Sequence, residues 1–263
     1  MRMSFGRIAA AALAVFVALG AGMIAVAPWE PPAAGGTVDA GAIPQPTAPD
    51  VEAPVEPPPP AADPVIKPIP DAQWERIVAT GTWRPGCPVG REDLRRLEVG
   101  YIGFDGQYRR GVLVAHRDSV QDLAEIFTGL FDAGFPIGLM VPVEKYGGDV
   151  VRSLRANNTS AFNCRKPGQI NAPVKESPHA NGRAVDINPV QNPWMDPRCD
   201  CWVPSAKHAK QTDGPGIIRE ESLPVFLFES RGWVWQNIKV PDYMHFDTGF
   251  PSKARTQAPA ASG

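Results

Sequence analysis

Two short segments of the chain contain the side chains best suited to bind a metal ion. The first reads Ser-Pro-His-Ala-Asn-Gly-Arg-Ala-Val-Asp over residues 177–186, and the second reads Asp-Tyr-Met-His-Phe-Asp over residues 242–247. Two imidazoles and one carboxylate leave the fourth position of a tetrahedral shell open to water, which is the arrangement of catalytic zinc sites. We therefore predict that His179, Asp186 and His245 bind Zn²⁺.

The pattern around the first segment predicts how its polar side chains are presented. If residues 184–188 form a strand, Val185 and Ile187 point into the core while Asp186 faces the opposite side. Gly182 permits the turn that brings His179 round to the side of Asp186.

The second segment presents its histidine in the same way. Met244 and Phe246 are expected to pack inward, which leaves His245 facing out of the sheet. Asp242 lies three residues earlier, directly after Pro241. A second carboxylate that does not bind the metal is needed to take a proton from water, and we predict that Asp242 is this general base.

These residues carry a resemblance to a known family. The first segment resembles the SxHxxGxAxD signature of VanY-type zinc D-alanyl-D-alanine carboxypeptidases, and Asp-Tyr-Met-His-Phe resembles their second motif. The run Asn-Asn-Thr-Ser-Ala-Phe-Asn-Cys-Arg, residues 157–165, is similar to a segment of one branch of the family. The resemblance covers roughly residues 99–247.

The resemblance implies a function and a set of roles. It implies zinc ligands at His179, Asp186 and His245, a general base at Asp242, and Arg165 as the group that stabilises an oxyanion or holds a substrate carboxylate. Ser177 matches the motif serine, for which ordering the first motif or contacting substrate is implied. The implied activity is zinc-dependent cleavage of peptidoglycan stem peptides, as a D-Ala-D-Ala carboxypeptidase or an L-Ala-D-Glu type endopeptidase.

A second hypothesis is a zinc-stabilised peptidoglycan-binding module without turnover. Asp242 separates the two, because a structural zinc site needs no base three residues before its last ligand. The chain also departs from the family, whose members often have Trp-Gly-Gly where this chain has Trp235-Gln-Asn. We expect these side chains, and the insertion around Cys199 and Cys201, to change the rim of the cleft.

Other mechanisms and partners find little support in the sequence. No serine has a lysine three residues on, and no Gly-x-Ser-x-Gly run occurs, so the known serine-nucleophile motifs are absent. Residues 71–263 carry 23 Lys and Arg against 22 Asp and Glu, without a basic run. This balance argues against a nucleic-acid binder, and we expect a monomer whose partners are stem peptides.

Hydrophobic periodicity predicts an α+β domain with a small, mostly antiparallel sheet flanked by helices. Apolar residues at helical spacing predict a helix that starts at Asp118 or Ser119 and ends at Gly134. A second helix is predicted near residues 220–230. Strands are predicted at residues 111–115, 137–143, 184–188, 233–235 and 244–247. The family resemblance implies a hedgehog/DD-peptidase-like fold.

The N-terminal part of the chain indicates export. Residues 8–27 are uncharged and follow Arg2 and Arg7, which is typical of a signal peptide or a single-pass membrane anchor, and both alternatives remain open. Of the 30 prolines, 14 lie between Pro28 and Pro70, so we expect a disordered linker over residues 28–70, a domain over 71–250 and a disordered tail over 251–263. The domain is therefore expected to be extracytoplasmic, secreted or anchored to the outer face of the cytoplasmic membrane.

An exported protein is expected to use its four cysteines in disulfides. Three pairings are possible. Pairing Cys87 with Cys164 closes a long loop and leaves Cys199 with Cys201 in a tight ring, whereas a cysteine-ligated zinc site is the competing interpretation.

Overall fold

A computed structural model describes residues 60–164 and 177–250. The predicted leader or anchor, most of the predicted linker, the predicted tail and Arg165 lie outside the described residues. Within the described residues, no helix combines the length and the apolar character that crossing a membrane requires.

The larger sheet of the described region has three antiparallel strands in the order β1 (Val65–Lys67), β2 (Leu94–Ile102) and β3 (Tyr108–His116). Helix α1 (Asp71–Ala79) lies between β1 and β2 in the chain. The predicted linker extends to residue 70, whereas β1 already pairs with β2, and Ile69 is buried. The folded region therefore begins earlier than predicted, because apolar residues between the last prolines pair with the sheet.

Helix α2 (Val120–Asp132) covers this sheet as the periodicity predicts. It begins after Ser119, and its buried side chains include Leu123, Ile126 and Phe127. Gly134 adopts a φ of 66°, a conformation that favours glycine and ends the helix.

A second three-stranded antiparallel sheet carries both metal-binding segments. Its order is β6 (Ala184–Asp186), β10 (His245–Asp247) and β9 (Val234–Trp235). The remaining elements are α3 (Val150–Arg155), α4 (Leu223–Glu229), the parallel pair β4 (Leu139–Met140) and β5 (Asn158–Thr159), and the antiparallel pair β7 (Trp194–Asp196) and β8 (Cys201–Val203). The α+β class with small, mostly antiparallel sheets is confirmed.

The strand predicted over residues 137–143 is much shorter in the structure. Only Leu139 and Met140 pair with β5. Beyond Met140 the side chain of Asn158 bonds both the N–H and the C=O of Val141, at 2.9 Å each, so a side chain replaces the neighbouring strand.

The inward faces of β6 and β10 hold the second sheet against the core. Val185, Ile187 and Phe246 are fully buried in the main hydrophobic cluster, as predicted. The ring of Phe228 stacks on Phe246 with centroids 3.9 Å apart. Met244 is also buried, but it packs in a separate cluster with Leu154 and Trp194.

Gly182 makes the turn between the two parts of the first segment. Its φ is 73°, and a Cβ added there would lie 2.8 Å from the backbone nitrogen of His116. Both the conformation and the close approach require glycine, as the sequence predicts.

Arg183 anchors this turn to the end of β3. Its guanidinium donates to both carboxylate oxygens of Asp118, at 2.9 to 3.2 Å, and to Nε2 of His116 at 3.1 Å. Because arginine offers only donors, His116 accepts at Nε2. Its Nδ1 lies 2.7 Å from Oδ1 of Asp118 and also faces the backbone N–H of Asp118 at 3.2 Å. His116 therefore has a structural role at this turn.

The cysteines form the two disulfides Cys87–Cys164 and Cys199–Cys201. No free cysteine remains among the described residues. This pairing excludes a cysteine-ligated zinc site. Cys164 is the last described residue before the gap that precedes the first metal-binding segment, so its disulfide ties that part of the chain to the region around Cys87.

We predict that the Cys87→Ala/Cys164→Ala double variant is less stable by about 4 kcal/mol, since this disulfide spans 77 residues of chain. Urea unfolding without reductant measures the difference. The matched control is Cys199→Ala/Cys201→Ala, whose disulfide spans two residues and whose removal should change the free energy of unfolding much less. Equal losses in the two double variants would contradict the prediction.

A second prediction concerns Asp118. Partial burial raises the pKa of its carboxyl, but hydrogen bonds from His116, Arg183 and Ser119 outweigh this effect and hold the pKa well below its usual range. The stabilisation is therefore present above about pH 4, the unfolded value, and is lost as the pH falls toward the folded one. We expect Asp118→Asn to cost about 1 to 2 kcal/mol at pH 7.

Urea unfolding at pH 7 and pH 3 tests this expectation. The difference in the free energy of unfolding between Asp118→Asn and the parent protein should be smaller at pH 3. Asp105→Asn serves as the control, since Asp105 pairs with Arg109 in an exposed ion pair that solvent screens. A difference for Asp118→Asn that widens at low pH would show that its charge is not the stabilising feature.

Candidate metal centre

The register of the second sheet brings two predicted ligands together. In the antiparallel pair of β6 and β10, His245 lies directly opposite Asp186. Side chains directly opposite each other in such a pair share one face of the sheet. Nδ1 of His245 is accordingly 3.1 Å from Oδ1 of Asp186.

His179 joins them from the 3₁₀ turn Pro178–Asn181, which Gly182 ends. Its Nε2 lies 3.2 Å from Oδ1 of Asp186 and 3.1 Å from Nδ1 of His245. All three side chains are buried, and their ligand atoms lie within 4.8 Å of one another. The structure thus places the three predicted ligands in one cluster.

The outer nitrogen of each ring is hydrogen-bonded away from the cluster. Nδ1 of His179 faces the backbone oxygen of Ala161 at 2.7 Å, and Nε2 of His245 faces Oδ2 of Asp247 at 3.1 Å. Both partners only accept, so these nitrogens carry the protons. When the rings are neutral, Nε2 of His179 and Nδ1 of His245 present their lone pairs to the cluster, which is the form in which histidine binds a metal.

The donor set fits a zinc ion. Ligand atoms about 2.0 to 2.1 Å from a tetrahedral centre lie roughly 3.3 Å from each other, close to the 3.1 and 3.2 Å seen here. Two imidazole nitrogens and one carboxylate oxygen match the His/His/carboxylate shell of catalytic zinc sites. The buried His179, Asp186 and His245 group can therefore hold a metal.

The electrostatics of the cluster show how strongly its carboxylates attract positive charge. Burial disfavours the charged form of His245, but hydrogen bonds to Asp186 and Asp247 and the charge of Asp242 outweigh it and raise its pKa to about 10. Burial alone would raise the pKa of Asp186, whereas the two histidines lower it. The carboxylates therefore favour a proton or a metal cation between the ligand atoms of the cluster.

Asp242 lies in the turn before β10. Its side chain is buried, and its backbone N–H donates to the side-chain oxygen of Gln236 at 3.3 Å. The backbone N–H of His245 bonds the backbone oxygen of Asp242 at 3.1 Å, so Asp242 lies beside the cluster, although it is not one of the three converging ligands. Its role as general base stays a prediction.

The other predicted site residues are Ser177 and Arg165. Ser177 is buried at the start of the 3₁₀ turn, where its backbone oxygen accepts a hydrogen bond from the N–H of Ala180 at 2.9 Å. That position agrees with ordering the first motif, while contact with substrate stays a prediction. Arg165 lies outside the described residues.

The insertion after the first motif forms a hairpin beside Asp242. Strands β7 and β8 are its two arms, and Cys199 and Cys201 are joined close to its turn. The N–H of Met195 bonds the backbone oxygen of Pro241 at 2.8 Å, and Trp202 stacks on Tyr243 with centroids 5.4 Å apart. The hairpin therefore packs directly against the second motif.

The sequence-based reasoning missed Asp247, the carboxylate that bonds His245. A signal was available, since alternation along β10 puts residues 245 and 247 on the same face. It also missed the backbone oxygen of Ala161 and the contacts of Gln236 and Asn237, for which the sequence carries no signal. Asn237 donates to Oδ1 of Asp247 at 2.9 Å.

Comparisons with known proteins agree with this geometry. Residues 171–248 match the family model described as D-alanyl-D-alanine carboxypeptidase. This segment contains both motifs and is shorter than the stretch over which the resemblance was noted. No curated protein and no solved structure matches the chain. The two histidines and the aspartate that converge in the structure all lie within the segment 171–248 that matches this family model.

Proposed function

We propose that the chain is a zinc-dependent peptidase that cleaves the stem peptides of peptidoglycan. The observation that carries the proposal is the convergence of His179, Asp186 and His245, each ring with its outer nitrogen already bonded. Together with the match of residues 171–248 to D-alanyl-D-alanine carboxypeptidases, this geometry supports hydrolysis at a metal centre.

Each residue has a distinct task in the proposed reaction. A zinc ion at this site supplies a Lewis acid that polarises the substrate carbonyl and makes water acidic near neutral pH. Asp242 accepts the proton of the attacking water and returns it to the leaving amine. Arg165 holds the developing oxyanion or a substrate carboxylate through its permanently charged, planar guanidinium. Ser177 orders the first motif or contacts the substrate.

The bond that is cut is a D-Ala-D-Ala bond in a carboxypeptidase or an L-Ala-D-Glu bond in an endopeptidase. The family description favours the first, since it names D-alanyl-D-alanine carboxypeptidases. A carboxypeptidase needs a cation for the terminal carboxylate of the substrate, and Arg165 is the proposed candidate. The products of digestion distinguish the two activities.

The proposed place of action is outside the cytoplasmic membrane. Two disulfides, Cys87–Cys164 and Cys199–Cys201, fit an oxidising compartment. The uncharged run of residues 8–27 and the proline-rich stretch after it fit a secreted or anchored enzyme that must reach the cell wall.

The binding-module hypothesis is the second candidate, and Asp242 argues against it. A buried carboxylate whose charge adds to that of Asp186 disfavours the metal-free fold, yet a purely structural zinc has no need of it. A hydrolytic site does need a base near its metal.

Digestion of purified sacculi and of free pentapeptide, with and without chelator, tests the proposal by mass spectrometry. We expect chelator-sensitive products, loss of a terminal D-Ala from pentapeptide in a carboxypeptidase, and no products from His245→Ala. The same variant should bind zinc at least about 10-fold more weakly in a competition titration, because one of three ligands is lost. Zinc binding by the parent without products would favour the binding module.

Asp242→Asn separates base catalysis from metal binding. We expect the variant to retain zinc and to lower kcat by about 10²- to 10⁴-fold, since an amide cannot accept the proton. Glu144→Gln is the control, as it neutralises another buried carboxylate, one held by Gln73. Full activity in Asp242→Asn would remove Asp242 from the mechanism.

A further inference from the structure

We propose that Asp247 and Asn237 are positioning residues that hold the His245 ring with Nε2 protonated, so that Nδ1 is kept ready to bind the metal. This inference rests on the proposed zinc site and goes beyond it. Neither residue belongs to the three ligands or to the proposed base. Their role is exerted through His245 alone.

The contacts of Asp247 leave its carboxylate one orientation. Oδ2 lies 3.1 Å from Nε2 of His245. Oδ1 accepts from the side-chain amide of Asn237, at 2.9 Å, and from the backbone N–H of Gly249. Asp247 is 1% exposed, so water cannot replace these partners. Two donors hold one oxygen, and the other oxygen is left to face the ring.

The arrangement determines which nitrogen of His245 carries the proton. A carboxylate only accepts, so Nε2 must donate to it. In neutral imidazole the other nitrogen then has the lone pair, and Nδ1 is the atom that faces Asp186 and His179. A ring held in the opposite tautomer would direct an N–H at the metal position and repel the ion.

The contacts also exclude Asp247 as a ligand for the same metal. It bonds the nitrogen of His245 that points away from Nε2 of His179 and Oδ1 of Asp186, on the far side of the ring. Its negative charge makes the imidazole a stronger donor to a cation without taking a coordination position.

Asn237 is the outermost residue of this series of hydrogen bonds, which links it through Asp247 to His245. It follows β9 and is exposed, while its amide reaches Asp247 inside. Removing it leaves Gly249 as the remaining described donor to Oδ1, so the carboxylate stays in place but rotates more freely. The expected effect of Asn237→Ala is thus smaller than that of a change at Asp247.

Asp247→Asn tests the tautomer directly, because it preserves the shape and changes the hydrogen-bonding sense. The amide oxygen should take the Oδ1 position, where two donors converge, and its NH₂ then faces Nε2 of His245. Nε2 must accept, and the proton moves to Nδ1, where it competes with the metal. If Asp247 had only a structural role, the order of zinc affinities would be reversed, and Asp247→Asn would bind zinc better than Asp247→Ala because Asn preserves the shape of Asp.

The experiment measures zinc affinity by chelator competition and the visible spectrum of the Co²⁺-substituted protein. Expected losses of affinity are about 10- to 100-fold for Asp247→Ala, at least as much for Asp247→Asn, and roughly 2- to 5-fold for Asn237→Ala. Glu144→Gln, with its buried carboxylate bonded to Gln73, is the control and should bind as the parent does. Thermal unfolding of the metal-free proteins checks that each variant folds.

The outcomes distinguish this inference from the proposed function. If the parent protein binds no zinc, the proposed metal site itself fails. If the parent binds zinc and both Asp247 variants bind within 2-fold of it, the positioning role alone is overturned. If the Asp247 variants do not fold, Asn237→Ala provides the test. An unchanged zinc affinity and an unchanged Co²⁺ spectrum in that variant would overturn the positioning role.

Discussion

The antiparallel register that sets His245 opposite Asp186 is the constraint on which the site depends. A slip of one residue would place Phe246 or Met244 opposite Asp186 and turn His245 into the core. The register is fixed by burial on the other face, where Val185 and Phe246 also pair and Phe228 stacks on Phe246. Hydrophobic packing on one face of a short sheet thus determines that His245 and Asp186 meet on the other face.

The histidine from the first motif depends on a different kind of support. His179 sits on a single 3₁₀ turn, which has little stability of its own. Gly182 allows the chain to pass against the backbone of His116, and Arg183 ties the turn to Asp118. Packing explains Gly182 in the middle of the motif, and the ion pair with Asp118 explains Arg183. The predicted ligands His179 and Asp186 lie on either side of them.

The sequence predicts the parts of this fold that follow simple periodicity. Helix α2 and the opposite faces of β6 are predicted because their apolar residues recur at regular spacing. Strand β2 is not predicted because Arg95, Arg96 and Glu98 interrupt its apolar pattern. In the structure Arg96 and Glu98 form an ion pair with each other. The ligands were predictable from their types and spacing, whereas the contacts of Asn237 depend on the path of a loop that local sequence does not determine.

The three predicted ligands and the hairpin of β7 and β8 belong to separate parts of the molecule. The ligands and their hydrogen-bonding partners lie on buried strands and turns, where neighbouring side chains restrict their movement. The hairpin of β7 and β8 is joined to the second motif through Pro241 and Tyr243 and contributes none of the three converging ligands. Changes in the hairpin would leave the geometry of the converging residues intact, because rigid elements fix that geometry while the loops around it vary. The differences from the motif pattern that this sequence resembles, at residues 236–237 and around Cys199, are therefore of two kinds. The amides of Gln236 and Asn237 bond Asp242 and Asp247, whereas the disulfide-closed hairpin packs against the second motif.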